Sequence, residues 1–232
     1  MASKERMLVD TPAAQLIEVD MREHGAALAA AVASVEGRLL DRPTVVVFGR
    51  ECRQPRDVGF FSDESPGYTY AHRMMPAQAL CTSLKKLLYI VNALFGADYN
   101  GILVNRYRTG SDNVGSHADS MDDLDPRAGV VTLSYGATRI FRLRDGAKRK
   151  VGDFALRSGF AIQMRGATFQ QTYKHEVPVQ RRVREPRFSF TFRRHSSDDR
   201  RRAAQEQSRS PRARDSSIDI VRRSSPWSSE RL

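Results

Sequence analysis

Three side chains in the second half of the chain have the types that hold a transition metal: His117 and Asp119 in His-Ala-Asp, and a lone His175. Two imidazoles and one carboxylate occupy one face of an iron(II) ion and leave the opposite positions open for a co-substrate and oxygen. Arg187 and Arg193 follow in Arg-Phe-Ser-Phe-Thr-Phe-Arg. A guanidinium is a rigid fork of donors that matches a carboxylate, so two of them suit an acidic co-substrate. Taken together, the five residues are the kit of an iron(II)- and 2-oxoglutarate-dependent oxygenase, with dioxygen as the oxidant.

Spacing says how such groups could converge. His117 and Asp119 are two apart, so in an extended segment both point the same way. His175 must then arrive from another strand. From Arg187 to Arg193 the alternation is strict: Phe188, Phe190 and Phe192 face one way, Arg187, Ser189, Thr191 and Arg193 the other. A basic face ordinarily points to water, but an inward one fits in size. Six residues of strand span roughly 20 Å at about 3.3 Å each. Two arginines reaching toward each other by roughly 6 Å apiece leave about 8 Å, close to the length of a five-carbon diacid. Asn105 and Tyr107 repeat the pattern opposite Ile102 and Val104, and both carry hydrogen-bond donors. A strand-end Asn and a half-buried Tyr would look the same.

The elements that must position these groups fall into two blocks. An alanine-rich stretch over 20–40, with Leu28, Val32, Val35 and Leu39 at helical spacing, predicts a helix, and 76–95 a second one burying Leu80, Leu84, Leu87, Leu88, Val91 and Leu94. Val45–Phe48 predicts a short strand, and 50–72 an irregular, aromatic-rich stretch. Beyond Gly101 short strands follow: 102–107, 130–135, 140–143, 154–156, 160–164 and 188–192. Helices followed by a run of strands predict an α+β protein on a jelly-roll core.

At 232 residues there is room for one sizeable core plus appendages, and three parts are expected: an N-terminal extension and helix over 1–44, a catalytic domain over 45–195, and a tail over 196–232. That tail is Ser- and Arg-rich and nearly free of aliphatics, and is expected to be disordered. It reads as a nucleic-acid anchor, an address signal or an inert extension. The formal charge of +11, with a pI near 10.2, favours a polyanionic partner, although the tail inflates it. No apolar run has membrane-spanning length and no signal peptide leads the chain, so an intracellular protein is expected, nuclear or cytoplasmic, monomeric, with Cys52 and Cys81 as reduced thiols.

Five motifs in register carry a resemblance: Asn105-Arg106-Tyr107, His117-x-Asp119, Ser134-Tyr-Gly-Ala-Thr-Arg139-x-Phe141, His175-x-x-Pro178 and Pro186-Arg187-x5-Arg193. Over roughly 45–193 the chain resembles the AlkB family of nucleic-acid dealkylases, closest to the branch that repairs duplex DNA. The resemblance implies a double-stranded β-helix, iron(II) on His117, Asp119 and His175, and 2-oxoglutarate held by Arg187 and Arg193 with Asn105 and Tyr107. It implies oxidative demethylation of bases of the 1-methyladenine and 3-methylcytosine type, in DNA rather than RNA, with release of an aldehyde. It also assigns 48–75 to nucleotide recognition. Tyr68 and Tyr70 would line the lesion pocket, Tyr70 stacking on the flipped base opposite His117. Phe48 would be a wedge in the duplex, or else a core residue ending its strand. Arg50, Arg53 and Arg56 would reach phosphate or merely water. One position departs: repair members place an acid two residues past the aspartate, where this chain has Met121, followed by Asp122 and Asp123. Asp122 is the substitute contact, or base choice differs. An RNA or another substrate remains the alternative within the class, and a non-catalytic nucleic-acid-binding module the alternative outside it.

Overall fold

The computed structural model describes residues 4–12, 14–47, 49–70, 73–119 and 129–195. In chain order the elements are β1 (Glu5–Thr11), β2 (Ala14–Asp20), α1 (Gly25–Val35), β3 (Thr44–Val47), β4 (Arg50–Arg53), β5 (Asp57–Phe61), β6 (Gly67–Tyr70), β7 (Arg73–Pro76) and α2 (Thr82–Phe95). There follow β8 (Gly101–Tyr107), β9 (Val114–His117), β10 (Val130–Gly136), β11 (Arg139–Asp145), β12 (Lys150–Leu156), β13 (Phe160–Arg165), α3 (Phe169–Thr172), β14 (Tyr173–Val177) and β15 (Arg187–Arg193). Two antiparallel sheets face each other as a jelly roll. The larger runs β1-β2-β13-β10-β15-β8-β5 and the smaller β12-β11-β14-β9, with β3-β4 and β6-β7 as separate hairpins. Among the described residues no helix is long and apolar enough to cross a membrane.

β15 shows how the sequence dictates the layers. It lies inside the large sheet, paired along its edges with β10 and β8, and all seven of its residues are buried, so both its faces are covered as well. Phe188, Phe190 and Phe192 pack with Ile102 and Val104 of β8 against Leu28, Val32 and Val35 of α1 and Leu84, Leu87 and Val91 of α2. The opposite face looks at the small sheet, across a second core that includes Phe141, Leu143, Leu156 and Val177. The metal-type and arginine side chains lie on this inner side.

Several elements differ from the sequence expectation. The first helix is shorter, a regular α1 flanked by single 3-10 turns at Arg22–His24 and Glu36–Arg38. α2 starts at Thr82 rather than 76, because Pro76 closes the strand β7. Gly96, at φ 57°, then ends it in the left-handed conformation open to glycine. Leu94 is not buried but 44% exposed; at 100° per residue it sits roughly 80° round the helix from Leu84. The stretch over 50–72 is not irregular: it holds β4, β5 and β6, and every residue of β5 is buried. The N-terminal residues form the hairpin β1-β2, which joins the large sheet through β2 and β13.

Arg139, in the Ala-Thr-Arg motif, locks one end of the barrel. It is buried and donates to the carbonyls of Thr109, Asp112 and Pro178 at 2.8–3.1 Å and to Gln180 Oε1 at 3.2 Å. These loops run so close that a Cβ on Gly110 would stand 1.8 Å from the Gln180 carbonyl oxygen, which only glycine avoids. Arg139→Ala strips several buried carbonyls of their donor and should lower unfolding stability by about 3 kcal/mol or more. Urea unfolding followed by circular dichroism measures this; a change under about 0.5 kcal/mol, the size of an ordinary surface substitution, contradicts the clamp.

Candidate active site

β9 and β14 are neighbours in the small sheet, with His117 directly opposite His175. Their rings stand 4.3 Å apart between centroids, and Phe141 stacks on the far side of His175 at 5.2 Å. Asp119 follows the end of β9 and places Oδ1 3.7 Å from His117 Nε2 and 3.9 Å from His175 Nε2. One ligand atom from each of the three lies within 4.8 Å of the others, a spacing one metal ion can span.

Protonation suits the same purpose. His117 Nδ1 lies 2.9 Å from the Gly115 carbonyl oxygen, which can only accept, so Nδ1 carries the proton and Nε2 keeps its lone pair. Burial pushes the His117 imidazolium down, against the opposing pull of Asp119. Burial, reinforced by His117, pushes His175 down to about 3. Both rings are therefore neutral near pH 7. Burial alone would raise the Asp119 carboxyl, but Arg193 and then the two histidines outweigh it and hold it below the usual range.

The arginines point inward. Arg193 pairs with Asp119 and lays its guanidinium 5.4 Å from the Tyr68 ring centroid. Arg187 is 1% exposed, donates to Ser134 Oγ at 2.9 Å, and lies over Tyr107 at 5.2 Å. Among the described residues no carboxylate pairs with Arg187. Burial pushes its guanidinium down to about 10, with Tyr107 opposing and Arg139 assisting. Among the described residues, Arg187 Nε and Nη1, Arg193 Nε and Asp119 Oδ2 are all buried without a hydrogen-bond partner. Buried donors and charges left open are costly, and the set is what a dicarboxylate beside a metal would satisfy.

A family model described as the 2OG-Fe(II) oxygenase superfamily matches residues 28–193. The chain belongs to that superfamily.

Membership brings iron(II), 2-oxoglutarate and dioxygen, and the open atoms above fit the first two. Within the superfamily the relatives are AlkB homologues, as the motifs imply. DNA oxidative demethylase ALKBH2 of Mus musculus is 31% identical over 157 residues, 64% of this chain and 65% of that one. Alpha-ketoglutarate-dependent dioxygenase alkB homolog 3 of Homo sapiens is 33% identical over 151 residues, 61% of this chain and 52% of that one. This superfamily member thus spans under two thirds of the length of these relatives. The solved structure of OsALKBH1 superposes with a TM-score of 0.54 over 82% of this chain and all of that one; at 18% identity it shows the fold.

All the expected co-substrate and metal residues line one pocket between the sheets, together with Arg56, Tyr68 and Tyr70. Arg56 is not at a phosphate-facing surface. It is 6% exposed, donating from Nε to Asn105 Oδ1 at 2.8 Å. Arg50 and Arg53 are exposed on β4, where Arg53 pairs with Asp41. Phe48, Met121, Asp122, Asp123 and the tail over 196–232 lie outside the described residues. Two residues were not anticipated. Gln170, on the short α3 before the His175 strand, accepts the Asp119 backbone N–H at 2.9 Å and so fixes the carboxylate's main chain. Ser134 holds Arg187. A glutamine carries no pattern in sequence, whereas Ser134 lies inside a motif that carried the resemblance without a role for its serine.

Proposed function

We propose that this oxygenase removes N-methyl groups from damaged bases in DNA. The observation that carries the reading is the buried guanidinium of Arg187, without a carboxylate partner among the described residues, in the same pocket as the His117, Asp119 and His175 cluster. Iron(II), 2-oxoglutarate and dioxygen, when bound, supply hydroxylation of the N-methyl carbon, whose product loses formaldehyde and restores the base.

The residues divide the work. His117, Asp119 and His175 would hold the metal, each offering one ligand atom. Arg187 takes one carboxylate of 2-oxoglutarate; Arg193 takes the other end while steadying Asp119. Asn105 and Tyr107 donate to its oxygens. Such chemistry needs the base out of the stack, and Tyr70, facing the same pocket as His117, offers a ring for it. The name of the Mus musculus relative, DNA oxidative demethylase, supports DNA as substrate, and the charge of +11 supports a polyanion.

The test is formaldehyde release from oligonucleotides carrying 1-methyladenine or 3-methylcytosine, as single-stranded DNA, duplex DNA and RNA, with iron(II), ascorbate and 2-oxoglutarate. Release from DNA above that from RNA is expected. No release from any of them, with succinate still formed, would refute the nucleic-acid substrate and leave the oxygenase.

A further inference from the structure

Arg56 touches both halves of the pocket. It precedes β5 by one residue, and its Nε donates to Asn105 Oδ1 at 2.8 Å while Nη1 donates to the Asn113 carbonyl at 3.4 Å. Its guanidinium carbon stands 5.6 Å from the centroid of the Tyr70 ring.

The first contact settles which way the Asn105 amide faces. A guanidinium has donors and no acceptor, so Asn105 must show it the oxygen. The two amide N–H groups are then turned away from Arg56. Asn105 lies across from Ser189, between Arg187 and Arg193 on β15 and nearer to Arg187. A pair of donors there suits a co-substrate whose carboxylate and keto oxygens only accept. With the amide reversed, its oxygen would meet those oxygens and repel them.

We propose that Arg56 is a positioning residue that orients Asn105 toward 2-oxoglutarate and, through its contact with Tyr70, makes co-substrate binding respond to a base in the pocket. The inference rests on the co-substrate and base roles given above. A base seated on Tyr70 meets the same guanidinium that holds Asn105, so the two ligands share one side chain. Coupling of this kind is reciprocal: the factor by which a methylated oligonucleotide tightens 2-oxoglutarate equals the factor by which 2-oxoglutarate tightens the oligonucleotide.

The experiment is 2-oxoglutarate titration by calorimetry on the full chain. Cobalt(II) replaces iron, without oxygen, with and without an oligonucleotide bearing 1-methyladenine. Arg56→Met should weaken 2-oxoglutarate about tenfold, the loss of one buried hydrogen bond from a charged donor. Cobalt(II) affinity should stay unchanged, which a general disturbance of the pocket would not allow. Asn105→Ala should weaken it similarly, and the double variant no further, because Arg56 acts through Asn105. The oligonucleotide should tighten 2-oxoglutarate in the wild type and not in Arg56→Met. Additive losses, or coupling kept in Arg56→Met, would overturn the inference. An Asn105→Ala protein with wild-type 2-oxoglutarate affinity would instead overturn the co-substrate role beneath it. If Arg56→Met does not fold, Arg56→Lys carries the test, since it keeps the charge but loses the fork and some reach. It should show intermediate affinity and reduced coupling, and wild-type values for both would overturn the inference.

Discussion

His117→Ala should reduce succinate and formaldehyde formation together, by at least about 10³-fold, while leaving the protein folded. His117 is the least buried member of the metal cluster and the last residue of β9, so its loss disturbs little else. Asp119→Ala should be as inactive but for a further reason it should also be less stable. Asp119 is the buried partner of Arg193, and removing one member of a buried pair leaves an uncompensated charge that costs about 3–5 kcal/mol. Thermal melts in a chelator separate the two: His117→Ala near the wild type, Asp119→Ala well below it. Substantial succinate formation by His117→Ala would remove that residue from the metal site, and equal melts would show that Arg193 does not depend on Asp119.

How much of this was legible in the chain depends on whether a residue's partners lie near it in sequence. The alternation in Arg187–Arg193 displayed its two faces without help. Which face was inner was not legible, because that follows from α1 and α2, far away in sequence, covering the phenylalanine face while the small sheet covers the other. β5 was missed for a related cause. Asp57 at its head looks like a loop residue, yet it is fully buried because Arg106 and Arg108 donate to its carboxylate at 2.6–2.9 Å. The hairpin β1-β2 was hidden similarly: Glu18 breaks the apolar pattern of β2, but Arg6 and Arg157 neutralise it. Arg56, between Pro55 and Asp57, had every local mark of a solvated loop cation. Only the packing of β5 beside β8 brings it to Asn105. Motif residues with fixed spacing were readable; charges neutralised by distant charges were not.

Arg187→Met should move stability and function in opposite directions. Among the described residues the guanidinium is buried with a hydroxyl and a tyrosine face but no carboxylate, and two of its nitrogens lack partners. Burying a charge so poorly compensated costs stability, and an apolar side chain of similar length often restores it, by about 1–4 kcal/mol. Without 2-oxoglutarate, then, Arg187→Met should melt above the wild type. The guanidinium is retained for what it meets when a carboxylate arrives, and losing a buried charge pair of this kind costs about 2–5 kcal/mol. Affinity for 2-oxoglutarate should accordingly fall on the order of 30-fold to several thousand-fold. Cobalt(II) affinity should stay put, because Arg187 is not among the three clustered ligands. A variant more stable alone yet no longer stabilised by added 2-oxoglutarate is the signature of a cation kept for its ligand rather than for the fold. If Arg187→Met instead melts lower and binds 2-oxoglutarate as the wild type does, the residue is a structural brace and the second carboxylate must be held elsewhere.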